Sequence, residues 1–207
     1  MASRVTRRSG ARFGGEAVRI RRAIARDAKR LTALVRRSRA YEGPYAPMIA
    51  GYRVGPDYIE AHEVFVAVDS EDRILGFYAL VLPAAGPGRT AVPASAPTSI
   101  PTSVPPSVPA ELDLMFVADH AQGLGLGRRL IEDLKVRAGE AGLDRVRIVS
   151  HPPAEGFYRS VGARRTGTEA ANPPAVMWDR PELVLVIPGV APGVVPGSSP
   201  VPTDRGR

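Results

Sequence analysis

Residues 122–127 read Gln122-Gly123-Leu124-Gly125-Leu126-Gly127, between an apolar run, Leu112-Asp113-Leu114-Met115-Phe116-Val117, and an amphipathic stretch opening at Arg128. A glycine-rich turn that leaves a strand and starts a helix aims several backbone N–H groups at one anion, which suits a phosphate or pyrophosphate. A dinucleotide fingerprint would need Gly-x-Gly-x-x-Gly beside the first strand of a βαβ unit. Here the spacing is Gly123-x-Gly125-x-Gly127, it falls mid-chain, and Arg128 takes the third glycine's place. A P-loop ends in Gly-Lys-Ser/Thr, which Gly127-Arg128-Arg129 does not supply. On the turn alone, a glycine turn without a ligand stays open.

Other chemistry-bearing residues cluster nearby in sequence. Glu111 and Asp113 are two apart on an expected strand, so both project from one face. Such a pair can accept a proton directly or through water, although acids at a strand edge beside a loop are commonly just solvated. His151 lies in Ser150-His151-Pro152-Pro153; it is a tempting base, but a lone loop histidine is ordinarily structural or solvated. His62 and His120 have no acidic or histidine partner at ligand spacing, so no metal site is expected. Tyr41, Glu42, Tyr45, Tyr52 and Tyr58 follow the first helix; with Trp178 they either pack a loop or hold an amine by cation–π and ion-pair contacts.

The elements that position these residues follow from periodicity. Val18 to Ile20 reads as a strand, and Ile24, Ala28, Leu31 and Val35 give a helix over about 25–39. Gly43-Pro44 and Pro47 break it, and a short helix follows Pro56. Val64 to Val68 and Ile74 to Leu82 form a hairpin across the polar turn Asp69 to Asp72. After Glu111 to Val117 comes a helix over Gly127 to Ala141, with Leu130, Ile131, Leu134 and Ala138 as its apolar stripe and Gly142 as its C-terminal cap. Val146 to Val149 is a strand, Ala154 to Val161 a short helix, and Leu183 to Ile187 a late strand. Strands interleaved with a few helices predict a mixed α/β layer structure in one domain.

Composition bounds the rest. The chain has 207 residues, no cysteine and a net charge of +7. Neither a disulfide framework nor a thiolate metal site is available. No apolar run approaches the roughly 20 residues that span a bilayer, and the arginines near the N-terminus precede no apolar stretch, so a cytoplasmic protein is expected. Arg4, Arg7, Arg8 and Arg12 hold four of the seven charges in a segment without acids. Residues 1–15 and 188–207 are expected to be disordered, the basic arm being a solvated tail and not a nucleic-acid grip. A Pro/Ser-rich stretch over about 83–110 is read as an insertion in a surface connection, because dense prolines deny both helix and ladder. The folded domain would then run over 16–187.

Taken with its flanks, the glycine turn resembles motif A of the Gcn5-related N-acetyltransferases (GNAT), Gln/Arg-x-x-Gly-x-Gly/Ala, with Gln122, Gly125 and Gly127 in the motif positions. Gly156-Phe157-Tyr158, ahead of Gly162-Ala163, is similar to the family's second hallmark. The order of elements follows the family over most of the ordered chain. The resemblance implies the α/β (α+β) GNAT fold, a mixed, mostly antiparallel sheet flanked by helices, and acetyl transfer from acetyl-coenzyme A (acetyl-CoA) to an amine in a ternary complex. It implies that the backbone of Gln122, Gly123, Leu124, Gly125, Leu126, Gly127 and Arg128 receives the pyrophosphate. It also implies that Met115, Phe116 and Val117 pair with the pantetheine arm, that Tyr158 protonates the departing sulfur, and that Glu111 is the general base. Tyr41, Tyr45 and Asp113 become candidates for the acceptor pocket. Relatives often carry Asn ahead of Gly-Phe-Tyr, where Pro153 stands here. An acyl-CoA sensor without catalysis is the alternative on the same fold, and a homodimer is compatible with either.

Overall fold

The computed structural model describes residues 12–13, 16–83, 109–174 and 176–189. The proline-rich insertion and both tails therefore lie almost entirely outside the described residues. Two pieces of the tails are described: Arg12–Phe13 pairs antiparallel with Glu16–Ala17, and Pro188-Gly189 forms a turn.

Seven strands make the central sheet: β1 (Arg19–Arg22), β2 (Glu63–Val68), β3 (Ile74–Val81), β4 (Ala110–Val117), β5 (Arg145–Val149), β6 (Arg164–Glu169) and β7 (Arg180–Val186). Their spatial order is β1-β2-β3-β4-β5-β7-β6, with every pairing antiparallel except β4 with β5. This is the mixed, mostly antiparallel sheet of the GNAT fold that the sequence predicts. The helices are α1 (Ala28–Arg36), α2 (Ala46–Ile49), α3 (Pro56–Ala61), α4 (Leu126–Glu140) and α5 (Glu155–Ser160).

Helices cover both faces of the sheet, which is why β2 and β3 read as nearly continuous apolar runs. The α4 stripe Leu126, Leu130, Ile131, Leu134 and Ala138 is fully buried against Tyr78, Leu80, Leu112, Val146, Ile148 and Leu183, with Tyr158 and Val161 of the α5 segment in the same cluster. Leu31 and Val35 of α1 and Ile59 of α3 pack on the other face, against Val64, Val66, Phe77, Leu114 and Phe116.

Three features differ from the sequence reading. The first helix is shorter than 25–39, because Ala25–Asp27 is a 3-10 turn that leaves Ile24 exposed. Asp27 pins this turn, accepting from the Ile24 amide and from both terminal nitrogens of Arg21, at 2.7 and 3.1 Å. Strand β6 carries no apolar alternation and was not expected. It forms the sheet edge by pairing with β7. A register shift in the β3–β4 ladder pairs Ala79 with Leu114 and Leu80 with Leu112, leaving Asp113 as a bulge residue. Leu112 and Leu114 consequently join opposite faces of the core, and the simple alternation that would put Glu111 and Asp113 on one face is interrupted.

Asp27 is fully buried. Burial pushes its carboxyl up, but the Arg21 fork, the Ile24 amide and Arg30 together hold it below the ordinary carboxylate range. A carboxyl lowered on folding contributes stability above its unfolded value of about 3.9, and that contribution is lost as the pH falls through the folded value. Asp27→Asn should lower the unfolding free energy by about 2–3 kcal/mol near neutral pH, below the range for a fully buried pair because Arg21 keeps some water contact. It should also flatten the loss of stability below about pH 4. Urea melts across that range measure both effects.

Candidate active site

The parallel strands β4 and β5 pair only through Ala110 with Val146 and Glu111 with Arg147. Beyond that point they splay. β4 runs on to Val117, while β5 ends at Val149 and the chain leaves through a 3-10 turn, Pro152–Ala154, into α5. Among the described residues no strand pairs with β4 on this side after Glu111, so the edge from Leu112 to Val117 is open. A cleft of about 460 Å³ occupies the splay, walled by Leu112, Met115 and Phe116 on one side and by Val149, Ser150 and His151 on the other. The glycine turn closes one end, and Phe157 and Tyr158 line the floor.

The geometry of the turn explains its composition. Gly123 and Gly125 have φ of +74° and +89°, a region that disfavours any side chain. Gly125 is also the N-cap of α4, and no side chain caps that end. The N–H groups of the first turn, Leu126, Gly127 and Arg128, have no intrahelical acceptor by construction. Together with the helix dipole they make an anion-binding end. Gly127 serves packing as well, since a Cβ there would lie 3.1 Å from the Phe157 ring. The Gln122 side chain points back, its Nε2 donating to the Val117 carbonyl at 3.0 Å and to Asp119 at 3.2 Å. It holds the turn against the strand end.

Most of the candidates come together here. Met115, Phe116, Val117, Gln122, Gly123, Gly125, Gly127, Arg128, Tyr41, Asp113 and Tyr158 all line the cleft. Leu124 is exposed and Leu126 is in the core, so these two could take part only through their backbones. Tyr158 is buried, and burial pushes its hydroxyl above the ordinary phenol range, so it keeps its proton at neutral pH.

Asp113 sits at the rim. It accepts a hydrogen bond of 2.5 Å from the Tyr58 hydroxyl. Burial, with the Asp113 charge added, pushes the Tyr52 hydroxyl up to about 12. The bulge that takes Asp113 out of register is what presents its carboxylate here.

Glu111 lies apart from the other candidates. It does not line the cleft. Its carboxylate accepts from Arg147 at 2.9 Å, in a seam where Arg147 also donates to Glu182 at 2.6 Å and Glu169 at 2.8 Å. These pairs bridge β4, β5, β6 and β7 and hold the Glu111 carboxylate in that seam. Tyr45 is likewise set back from the cleft, in edge-on contact with His151 and Trp178 at centroid distances of 4.3 and 4.6 Å.

His151, a tempting base that the sequence reading sets aside as structural or solvated, lies in the cleft wall. It is 7% exposed, lines the cleft and stacks on Tyr41 at 4.5 Å. Its Nε2 is buried without a hydrogen-bond partner among the described residues. Ring contacts reaching back about 110 positions are what bury it. Among the described residues no group of three His, Asp or Glu could hold a metal ion, and no helix is long and apolar enough to cross a membrane.

Residues 103–172, which include β4, the glycine turn, α4, β5 and α5, match the family model of an acetyltransferase (GNAT) domain. That stretch is similar to a GNAT acetyltransferase domain. Solved GNAT structures share its fold over most of its length. The ribosomal-protein-S18-alanine N-acetyltransferase of Escherichia coli is 15% identical, with a TM-score of 0.56 over 86% of this chain and 99% of the other. A Gcn5-related N-acetyltransferase of Rhodopseudomonas palustris is 14% identical, with a TM-score of 0.59 and the same coverage. A GNAT-family acetyltransferase of Staphylococcus aureus is 13% identical, with a TM-score of 0.54 over 83% of this chain and 99% of the other. At these identities the likeness is one of fold. No curated protein matches the sequence.

Proposed function

We propose that this GNAT domain transfers the acetyl group of acetyl-CoA to a primary amine by direct attack, with both substrates bound at once. One juxtaposition carries this reading: the open edge of β4 faces the uncapped N-terminus of α4 across a cleft that also holds the Tyr158 ring. Acetyl-CoA supplies an activated acetyl thioester on an extended amide-bearing arm that ends in a pyrophosphate. The first-turn N–H groups of α4, with the Arg128 side chain beside them, receive the pyrophosphate. The edge from Met115 to Val117 pairs with the arm as a strand would, which needs only backbone groups and explains why its side chains are apolar. Tyr158 donates to the departing sulfur.

The amine enters from the side of Asp113. The Asp113 carboxylate and the faces of Tyr41, Tyr52 and Tyr58 suit a cationic acceptor group. Asp113→Asn should raise the KM of the amine by about fivefold, the scale of a solvent-exposed ion pair of about 1 kcal/mol, and leave that of acetyl-CoA unchanged.

Release of free coenzyme A thiol, followed across a panel of small amines, peptide N-termini and lysine peptides, tests the reading. Turnover with at least one class is expected. Tight acetyl-CoA binding with no turnover on any amine would instead make the domain an acyl-CoA sensor.

A further inference from the structure

We infer that His151 is the proton acceptor of acetyl transfer, its Nε2 taking the proton of the attacking amine inside the cleft. The inference rests on the acetyl-transfer reading above. It begins from an unpartnered atom: the His151 ring is more than nine-tenths buried in the cleft wall, and Nε2 has no hydrogen-bond partner among the described residues. A buried polar atom left unpaired is costly and calls for an account. His151 lines the cleft with Nε2 just beneath its surface, so a ligand that shifts a lining side chain on entry would give Nε2 its partner.

The ring is positioned, not merely buried. Tyr41 stacks on its face at 4.5 Å with 24° between planes, and Tyr45 meets it edge-on at 4.3 Å. Tyr45 is itself held edge-on to Trp178 at 4.6 Å, and Tyr41 is stacked on Phe116 at 5.5 Å. A ladder of rings from β4 to the segment before β7 thus fixes the imidazole plane, which is what a proton acceptor of defined direction requires.

The competing groups are engaged. Glu111 pairs with Arg147 and does not line the cleft, and Asp113 holds the Tyr58 hydroxyl at the rim. The ionisable groups facing His151 are Tyr41 and Tyr45 from the connection after α1, with Asp113 of β4, Arg128 of α4 and Tyr158 of α5 on the same cleft or its rim. Burial lowers the imidazole below its ordinary value, so the ring is neutral and its lone pair is available near pH 7.

The step balances as follows. The amine nitrogen forms a bond to the thioester carbonyl carbon, and the carbon–sulfur bond breaks. Its electron pair leaves on the sulfur, which accepts the Tyr158 hydroxyl hydrogen bond. The proton lost by nitrogen passes to Nε2 and then to solvent. The products are the amide, coenzyme A thiolate and one proton.

The test compares wild type with His151→Gln and His151→Ala in thiol release. Wild-type kcat/KM for the amine should fall on the acid side, below about pH 6.5, as the imidazole protonates. Both variants should lose about 100-fold in kcat/KM together with that acid limb, and free imidazole should restore part of the His151→Ala rate. Calorimetric binding of acetyl-CoA should stay within about twofold. A His151→Gln enzyme that keeps its rate and its acid limb overturns the inference. So does a loss confined to acetyl-CoA affinity, which would make His151 a cofactor contact. Should either variant not fold, the wild-type protein decides by nitrogen NMR: His151 Nε2 must titrate at the pH of the acid limb, and a mismatch overturns the assignment. A wild type that turns over no amine brings down the acetyl-transfer reading itself, and this inference with it.

Discussion

Tyr158→Phe should lower kcat by about 100- to 1000-fold, the scale of losing one donor to charge developing in a closed site. The argument rests on what the substitution spares. The phenylalanine ring keeps the edge contact that Tyr158 makes with Phe157 at 5.2 Å and its place in the α4-side core. The unfolding temperature should therefore barely move. The KM of acetyl-CoA should stay within about twofold, because the proposed pyrophosphate site lies at the glycine turn and not at the Tyr158 hydroxyl. Burial raises the Tyr158 hydroxyl above the ordinary phenol range, so no basic limb of kcat near neutral pH should trace to its ionisation. A variant that retains kcat would remove Tyr158 from the chemistry, and rates across the pH range of folding measure it.

Gly125→Val should raise the dissociation constant of acetyl-CoA by about 100-fold while leaving most of the fold intact. Gly125 has φ of +89° and caps α4, and a Cβ there would meet nothing within 4 Å. The obstacle is thus conformational, not steric crowding. A β-branched residue strongly resists the left-handed region, where even an ordinary side chain loses roughly 1–2 kcal/mol. The chain escapes by rotating the turn, and the N–H groups of Leu126 to Arg128 lose their common aim. Two charge-assisted hydrogen bonds at about 1.5 kcal/mol each account for the expected fall in affinity. Calorimetry reads the affinity, and far-ultraviolet circular dichroism confirms that α4 persists. Unchanged affinity would mean that the pyrophosphate is held elsewhere.

The contrast between these residues and the rest shows what a sequence can reveal here. Gly123, Gly125 and Gly127 were legible because a glycine turn between a strand and an amphipathic helix has a local physical meaning. The α4 stripe was legible because Leu130, Ile131, Leu134 and Ala138 recur at the helical period, and all four are fully buried. The edge strand Arg164–Glu169 was not, since Arg-Arg-Thr-Gly-Thr-Glu carries no apolar face and is held by pairing with β7. The bulge at Asp113 is equally invisible locally, because it arises from register with β3. The ion pair of Glu111 was hidden for a related reason. Its partner Arg147 lies 36 residues away, and only the parallel pairing of β4 with β5 brings them together. One signal was present: Arg147 interrupts the apolar positions Val146 and Ile148 of β5, and a strand charge between buried neighbours asks for an opposite charge across the ladder. His151 was noticed as a possible base, but nothing local showed the ring contacts with Tyr41 and Tyr45 that bury it.

The central claim is direct transfer between two substrates held in the β4–β5 splay. Initial rates of thiol release, measured while both acetyl-CoA and the best amine are varied, test it most directly. Intersecting reciprocal plots are predicted, since both substrates must be bound before sulfur departs. Parallel lines, with acetyl left covalently on the protein in the absence of amine, would contradict it.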